Sequence, residues 1–116
     1  MDPRPDAAPP GRVAAKLWTR PLGPGASAAL HAADGSIRFV LGDGVDQYGL
    51  WFNADGWTGI GGAPYYNLAL EPCIGAQDTL FDAVEVERLA PTLPGNGFAT
   101  WSLTVTLEAS PEHAEA

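Results

Sequence analysis

Strict alternation of apolar and polar residues over residues 99–108 most limits the fold of this chain. There, Ala99, Trp101, Leu103, Val105 and Leu107 alternate with Thr100, Ser102, Thr104, Thr106 and Glu108. Side chains of a β-strand point to opposite faces in turn, so this pattern predicts a strand with one buried face. Fourteen glycines and eleven prolines among 116 residues would interrupt long helices. The chain is therefore predicted to be all-β, an antiparallel β-sandwich.

Shorter segments of the same kind precede this one and are separated by turn-forming residues. The predicted strands are residues 13–18, 27–32, 36–41, 48–53, 65–71 and 99–108. Asp34-Gly35 suits the tight turn of a hairpin between the second and third strands. Residues 79–88 fit either a short helical turn or a strand that carries Val84 and Val86, and a turn followed by a strand is the favoured interpretation. The predicted core includes Leu68, Leu70, Leu103 and Val105.

The two ends of the chain differ in composition from its middle. Residues 1–11 contain four prolines among small and charged residues, and residues 110–116 are short, polar and acidic. Such compositions favour loose tails. One β-sandwich domain is therefore predicted at residues 12–109.

Charge and cysteine usage restrict the partners and the compartment. The net charge of −8 comes with only six basic residues, which disfavours nucleic acid and anionic membranes and favours an uncharged or cationic ligand. The single cysteine, Cys73, cannot form an intramolecular disulfide, and the N-terminus lacks a secretory signal. No apolar run approaches the roughly 20 residues that span a bilayer. These features predict a soluble, cytoplasmic protein.

A carboxylate ends the apolar strand at residues 65–71, directly before Pro72. One predicted face carries Tyr65, Asn67, Ala69 and Glu71, and the other carries Tyr66, Leu68 and Leu70. Same-face residues lie about 6.6 Å apart, which is on the scale of a sugar ring. Pro72 is expected to end the strand and to hold the direction of the carboxylate. The first face is interpreted as a site and the second as core.

Glu71 is the candidate catalytic residue, because a carboxylate among apolar neighbours suits acid or base chemistry. The alternative is a structural ion pair with Arg38 or Arg88. The predicted substrate-binding residues are Trp51, Asn53, Trp57, Tyr65 and Asn67. Aromatic rings can stack on the C–H face of a sugar while the amides bind its hydroxyl groups. The alternative for the aromatic residues is a place in the core.

The two histidines, the aspartates in turns and the single cysteine have no sequence neighbours that indicate a metal site or a catalytic role. His31 and His113 have no neighbouring ligand or base in the sequence, and Asp55 and Asp78 lie in glycine-rich turns. Cys73 is interpreted as an inert thiol. We therefore predict no metal site and no cofactor.

With these residues in hand, most of the chain resembles the C-terminal portion of the aldose 1-epimerase (galactose mutarotase-like) superfamily. The motifs that carry the resemblance are residues 49–53 (GLWFN), 55–57 (DGW), 65–80 (YYNLALEPCIGAQDTL) and 93–95 (LPG). The LALEP segment is the most specific of them. The resemblance implies part of a large antiparallel β-sandwich that binds sugars.

The resemblance also implies roles. Glu71 matches the family's general base, which takes the proton from the anomeric hydroxyl, whereas the histidine that donates a proton to the ring oxygen belongs to the family's upstream half. Sandwiches of this kind commonly need roughly 200 residues. The 116-residue chain is therefore expected to carry the base without the acid, and to self-associate or pair with an upstream fragment.

Two alternatives to an isomerase remain open. One is a non-catalytic carbohydrate-binding module, which needs only the aromatic platform. The other is a structural piece whose open strand edges are covered by a partner chain.

Overall fold

The computed structural model describes residues 12–63, 65–86 and 90–111. Its strands are β1 (Val13–Trp18), β2 (Ser27–Ala32), β3 (Gly35–Leu41), β4 (Gln47–Ala54), β5 (Tyr66–Cys73) and β6 (Leu103–Ala109). One short helical segment, Asp82–Val86, lies between β5 and β6. The described strands pair into two antiparallel sheets of three, in the orders β1-β4-β5 and β2-β3-β6. The all-β class is therefore confirmed. None of the described residues forms a helix long and apolar enough to cross a membrane.

The predicted hairpin is present between β2 and β3. Ala32 pairs with Gly35, so the connection is a tight turn of two residues. Gly35 also pairs with Ala109 of β6. A side chain at Gly35 would collide with the backbone carbonyl of Glu108, so this position requires glycine for the third strand to approach.

The prediction that Pro72 ends its strand is wrong. Strand β5 continues to Cys73, with Pro72 directly opposite Tyr48. Within the described residues β5 pairs only with β4 and so lies at a sheet edge. A proline is tolerated there because its missing N–H can face away from the ladder.

The last strand begins later than its alternation predicted, at Leu103 instead of residue 99. Its partner β3 ends at Leu41, and the chain then turns. Ser102 exchanges backbone hydrogen bonds with Gly42 and Asp43 in this turn. None of the described strands therefore pairs with residues 99–101, although their alternating pattern is typical of a strand.

The strand predicted within residues 79–88 is also wrong for the part that is described. The Thr79 hydroxyl accepts a hydrogen bond from the Asp82 backbone N–H at 3.0 Å and donates one to the Asp82 carboxylate at 2.8 Å. This reciprocal cap starts a helical turn, and Asp82–Val86 is helical. Residues 87–89, including Arg88, lie outside the described residues.

The core is small and lies where the two sheets meet. Leu41, Val45 and Tyr48 are buried, and partly buried neighbours pack against them: Ala26, Ala28, Phe39, Leu70 and Leu103. The Tyr48 hydroxyl lies 3.1 Å from the carbonyl oxygens of Ala26 and Phe39, so it connects β4 to the other sheet. Each strand makes far fewer contacts with strands of the other sheet than with the strands beside it in its own sheet.

The predicted core residues have different environments. Leu70 and Leu103 pack against the buried cluster, and Leu68 is partly buried. Val105 is 49% exposed, so its assignment to the core is wrong. It shares the apolar face of the β2-β3-β6 sheet with Leu107, which is 77% exposed. The β1-β4-β5 sheet covers only part of that face.

Candidate functional site

One face of the β1-β4-β5 sheet gathers most of the predicted site residues. Opposite residues of antiparallel strands lie on the same face, so the observed pairing defines rows of side chains. Three rows cross this face: Ala14, Asn53 and Asn67; Lys16, Trp51 and Ala69; and Trp18, Gly49 and Glu71. The face predicted from the alternation of β5 is thus extended by residues of β4 and β1.

Three predicted aromatic residues form a cluster at one end of this face. The ring centroids of Trp51 and Trp57 are 6.0 Å apart with an interplanar angle of 85°. Those of Trp57 and Tyr65 are 6.1 Å apart with an angle of 75°. Such edge-to-face contacts hold rings firmly. Trp57 is 50% exposed, so part of the cluster is open to a ligand.

Asn53 has a structural place in the turn after β4 instead of facing a ligand. Its side chain is completely buried. Its Oδ1 accepts hydrogen bonds from the backbone N–H groups of Gly56 and Trp57, at 3.0 and 2.9 Å. Its Nδ2 donates to the Trp57 carbonyl at 2.9 Å. The assignment of Asn53 to substrate binding therefore needs correction, since these bonds make it the brace that orients Trp57.

We expect Asn53→Ala to lower the free energy of unfolding by about 1–3 kcal/mol, because it removes the three hydrogen bonds that the buried amide group makes to the turn after β4. Urea unfolding followed by tryptophan fluorescence measures this. Asn96→Ala is the matched control, because Asn96 is exposed and accepts a single local bond from the Phe98 N–H. We expect the control to cost less than about 1 kcal/mol, and equal costs would contradict the bracing role.

Asn67 lies beside Asn53 on the same face and is partly buried. Its Oδ1 is buried and has no hydrogen-bond partner among the described residues. An unpaired buried oxygen is costly, so this amide group is the less satisfied of the pair.

Glu71 lies at the other end of the face, within a group of charges. The Lys16 ammonium is 3.8 Å from the Glu71 Oε2 and 2.8 Å from the Asp78 Oδ1. It also lies 5.7 Å from the centroid of the Trp18 ring. Among the described residues, the ion-pair partner of Glu71 is thus Lys16. Arg38 belongs to β3 of the other sheet, and Arg88 is outside the described residues.

A cavity of about 320 Å³ opens beside these charges. Its lining includes Lys16, Trp18, Glu71, Cys73, Gln77 and Asp78. Gly49 leaves room here, because a Cβ at this position would lie 3.3 Å from the Glu71 Oε2 and 3.4 Å from the Trp18 Nε1. The aromatic residue that lines the cavity with Glu71 is therefore Trp18, whereas Trp51, Trp57 and Tyr65 lie farther along the face.

The surroundings of Lys16 and Cys73 raise the pKa of both groups. The hydrogen bond to Asp78 raises the pKa of Lys16 above its ordinary value, and the charges of Asp78 and Glu71 raise it further. Burial raises the pKa of the Cys73 thiol, so this group stays neutral at pH 7. Lys16 is therefore a stable cation that donates hydrogen bonds, and Cys73 is unsuited to act as a nucleophile.

Other predicted groups lie elsewhere. His31 belongs to β2 of the other sheet, and His113 is outside the described residues. Within the described ranges, no three or more histidine, cysteine or acidic side chains are grouped so as to hold a metal ion.

Sequence reasoning did not assign Lys16 or Trp18 to the site, and it interpreted Asp78 only as a turn residue. Alternation within β1 puts Lys16 and Trp18 on one face, which was a usable signal. The pairing of β1 with β4, however, joins segments more than thirty residues apart in the chain. Asp78 has no periodic signal, since it lies in a loop.

Comparison of the chain with protein-family models, with curated proteins and with solved structures found no match.

Proposed function

We propose that this chain binds a monosaccharide or a related sugar on the face of the β1-β4-β5 sheet that carries Glu71. The observation that supports this most is the strand register, which aligns Trp51, Asn67 and Glu71 along one face. Rings for stacking and polar groups for hydroxyls are the usual components of a sugar site. The resemblance to the aldose 1-epimerase superfamily supports the same ligand class.

As chemistry, we propose that Glu71 is the general base of anomer interconversion. Its carboxylate takes the proton from the anomeric hydroxyl, the bond from the anomeric carbon to the ring oxygen breaks, and the ring oxygen gains a proton. The open-chain aldehyde then closes on its other face. Lys16 suits a hydrogen bond to the ring oxygen better than repeated proton transfer, because its pKa is raised. The proton donor stays unassigned, and turnover by this chain alone is expected to be low.

The same proposal extends to the type of β-sandwich and to the cellular compartment. We expect the two sheets to be part of a β-sandwich of the galactose mutarotase-like kind, in a cytoplasmic protein. The proposal includes no metal and no cofactor.

The experiment is calorimetric titration of the full chain with glucose and with galactose, together with polarimetry of anomer interconversion. Binding with heat that saturates supports the proposal. Slow mutarotation by this chain alone is expected under both candidates, so the Glu71→Gln comparison in a preparation that catalyses mutarotation separates the general base from a non-catalytic carbohydrate-binding module. Absence of binding to either sugar would overturn the proposal.

A structural role is the second candidate, and the apolar face of the β2-β3-β6 sheet favours it. Phe39 pairs with Val105, and Ile37 pairs with the strongly exposed Leu107 on this face. An uncovered apolar sheet face with open edges favours association with itself or with another chain. Sedimentation of a compact monomer that binds no hydrophobic dye would contradict this candidate.

A further inference from the structure

The cavity beside Glu71 combines two carboxylates with one ammonium. Lys16 is closest to Asp78, at 2.8 Å, and lies 3.8 Å from Glu71. The exposed fractions of the three side chains are 32% for Lys16, 43% for Glu71 and 63% for Asp78. The group therefore borders the cavity while remaining in contact with solvent.

Within the described residues, the charged groups that line the cavity sum to a net charge of minus one. Lys16 is the single cation among the described lining residues, and it is neutralised by Asp78 before any ligand arrives. Glu71 then contributes an unbalanced negative charge. Cys73 adds none, because burial raises its pKa. An anionic ligand would meet net repulsion here, even though a lysine lines the wall.

An uncharged ligand with hydroxyl groups can instead form hydrogen bonds with these side chains. An ammonium group has three N–H donors, and Lys16 uses one for the short contact with Asp78. The 3.8 Å separation from Glu71 is longer than a hydrogen bond, so donors remain for a ligand. Glu71 accepts hydrogen bonds beside them. Lys16 and Glu71 thus offer a neighbouring donor and acceptor, which matches two adjacent hydroxyl groups of a sugar.

We propose that Lys16 and Asp78 make this site selective for uncharged sugars over anionic ones, a specificity that rests on the proposed sugar-binding function. Asp78 holds the ammonium and cancels its attraction for carboxylate or phosphate groups. Lys16 still donates to hydroxyl groups, and Glu71 repels a second anion. The ligand class is therefore a neutral aldose with adjacent hydroxyl groups, rather than a uronate or a phosphosugar.

The test compares glucose with glucuronate by calorimetric titration of the full chain at pH 7 and low ionic strength. We expect glucuronate to bind about fivefold more weakly, as for one unit charge repelled at about 4 Å in water, and the difference to shrink as salt is added. Asp78→Asn removes one negative charge and frees Lys16. We expect this variant to abolish or reverse the preference.

Glu108→Gln is the matched control, because it removes the same charge from β6 in the other sheet. We expect it to leave the ratio of the two dissociation constants unchanged. Both substituted side chains are exposed, and circular dichroism verifies that each variant folds.

The outcomes separate this inference from the function on which it rests. If glucose binds and glucuronate binds equally well or better, the selectivity is wrong while the sugar-binding function stands. If Asp78→Asn changes the ratio no more than Glu108→Gln does, the role of Asp78 is wrong. If neither ligand binds, both proposals are overturned.

Discussion

Glu71→Gln is expected to lower the rate of anomer interconversion by about 10²-fold or more, because glutamine keeps the shape and hydrogen bonding of glutamate but cannot take a proton. Sugar affinity should change little, since Lys16 and Trp18 stay in the cavity wall. Polarimetry with glucose and galactose measures the rate, and calorimetry measures the affinity. The comparison uses a preparation of the unsubstituted protein that catalyses mutarotation.

Trp51→Ala is the companion variant, and it should have the opposite signature. Trp51 contacts the partly exposed Trp57 and belongs to the proposed stacking platform. Its loss should weaken sugar binding by about three- to tenfold, with a smaller effect on the rate of the bound sugar. Unchanged turnover in Glu71→Gln would refute the base assignment. A fall in turnover of the same size in both variants would point to general disruption of the site.

Leu41→Ala is expected to lower the free energy of unfolding by about 2–5 kcal/mol. Leu41 is almost completely buried and packs with Val45 and Tyr48 where the two sheets meet. A core with so few buried residues has little else to compensate for the cavity that alanine would leave. Urea unfolding at fixed protein concentration measures the loss.

Leu107→Ala is the matched control for this change. It removes the same atoms from a leucine that is 77% exposed, so we expect a cost below about 0.5 kcal/mol. Equal losses in the two variants would contradict the position of the core. A large loss at Leu107 alone would instead indicate that the apolar face of the β2-β3-β6 sheet is covered in solution.

The sequence alone determined most of the strands and the faces of their side chains, because both depend on local periodicity. Strand β1 and the β2–β3 hairpin form where alternation and turn residues predicted them. The face of β5 that carries Asn67 and Glu71 was also predictable, since side chains alternate along any strand. The all-β class and the choice of Glu71 as candidate base could therefore be predicted from residues that are close together in the sequence.

Predictions from local patterns were wrong where the structure of a segment depends on the strand or turn that contacts it. Pro72 remains in its strand because β5 is an edge strand, and residues 99–101 lack a strand because β3 has already ended. Asn53 was expected to bind hydroxyl groups, but the turn after β4 uses both ends of its amide group. Each result depends on a neighbour that periodicity does not specify.

Only the tertiary structure decided the composition of the cavity. The order β1-β4-β5 places Lys16 and Trp18 of the first strand near Glu71 of the fifth, and a loop brings Asp78 to the same ammonium. These contacts join segments more than fifty residues apart, so no local pattern encodes them. The sequence determined which side chains share a strand face, and strand pairing decided which charges surround Glu71, because pairing depends on long-range hydrogen bonding and packing.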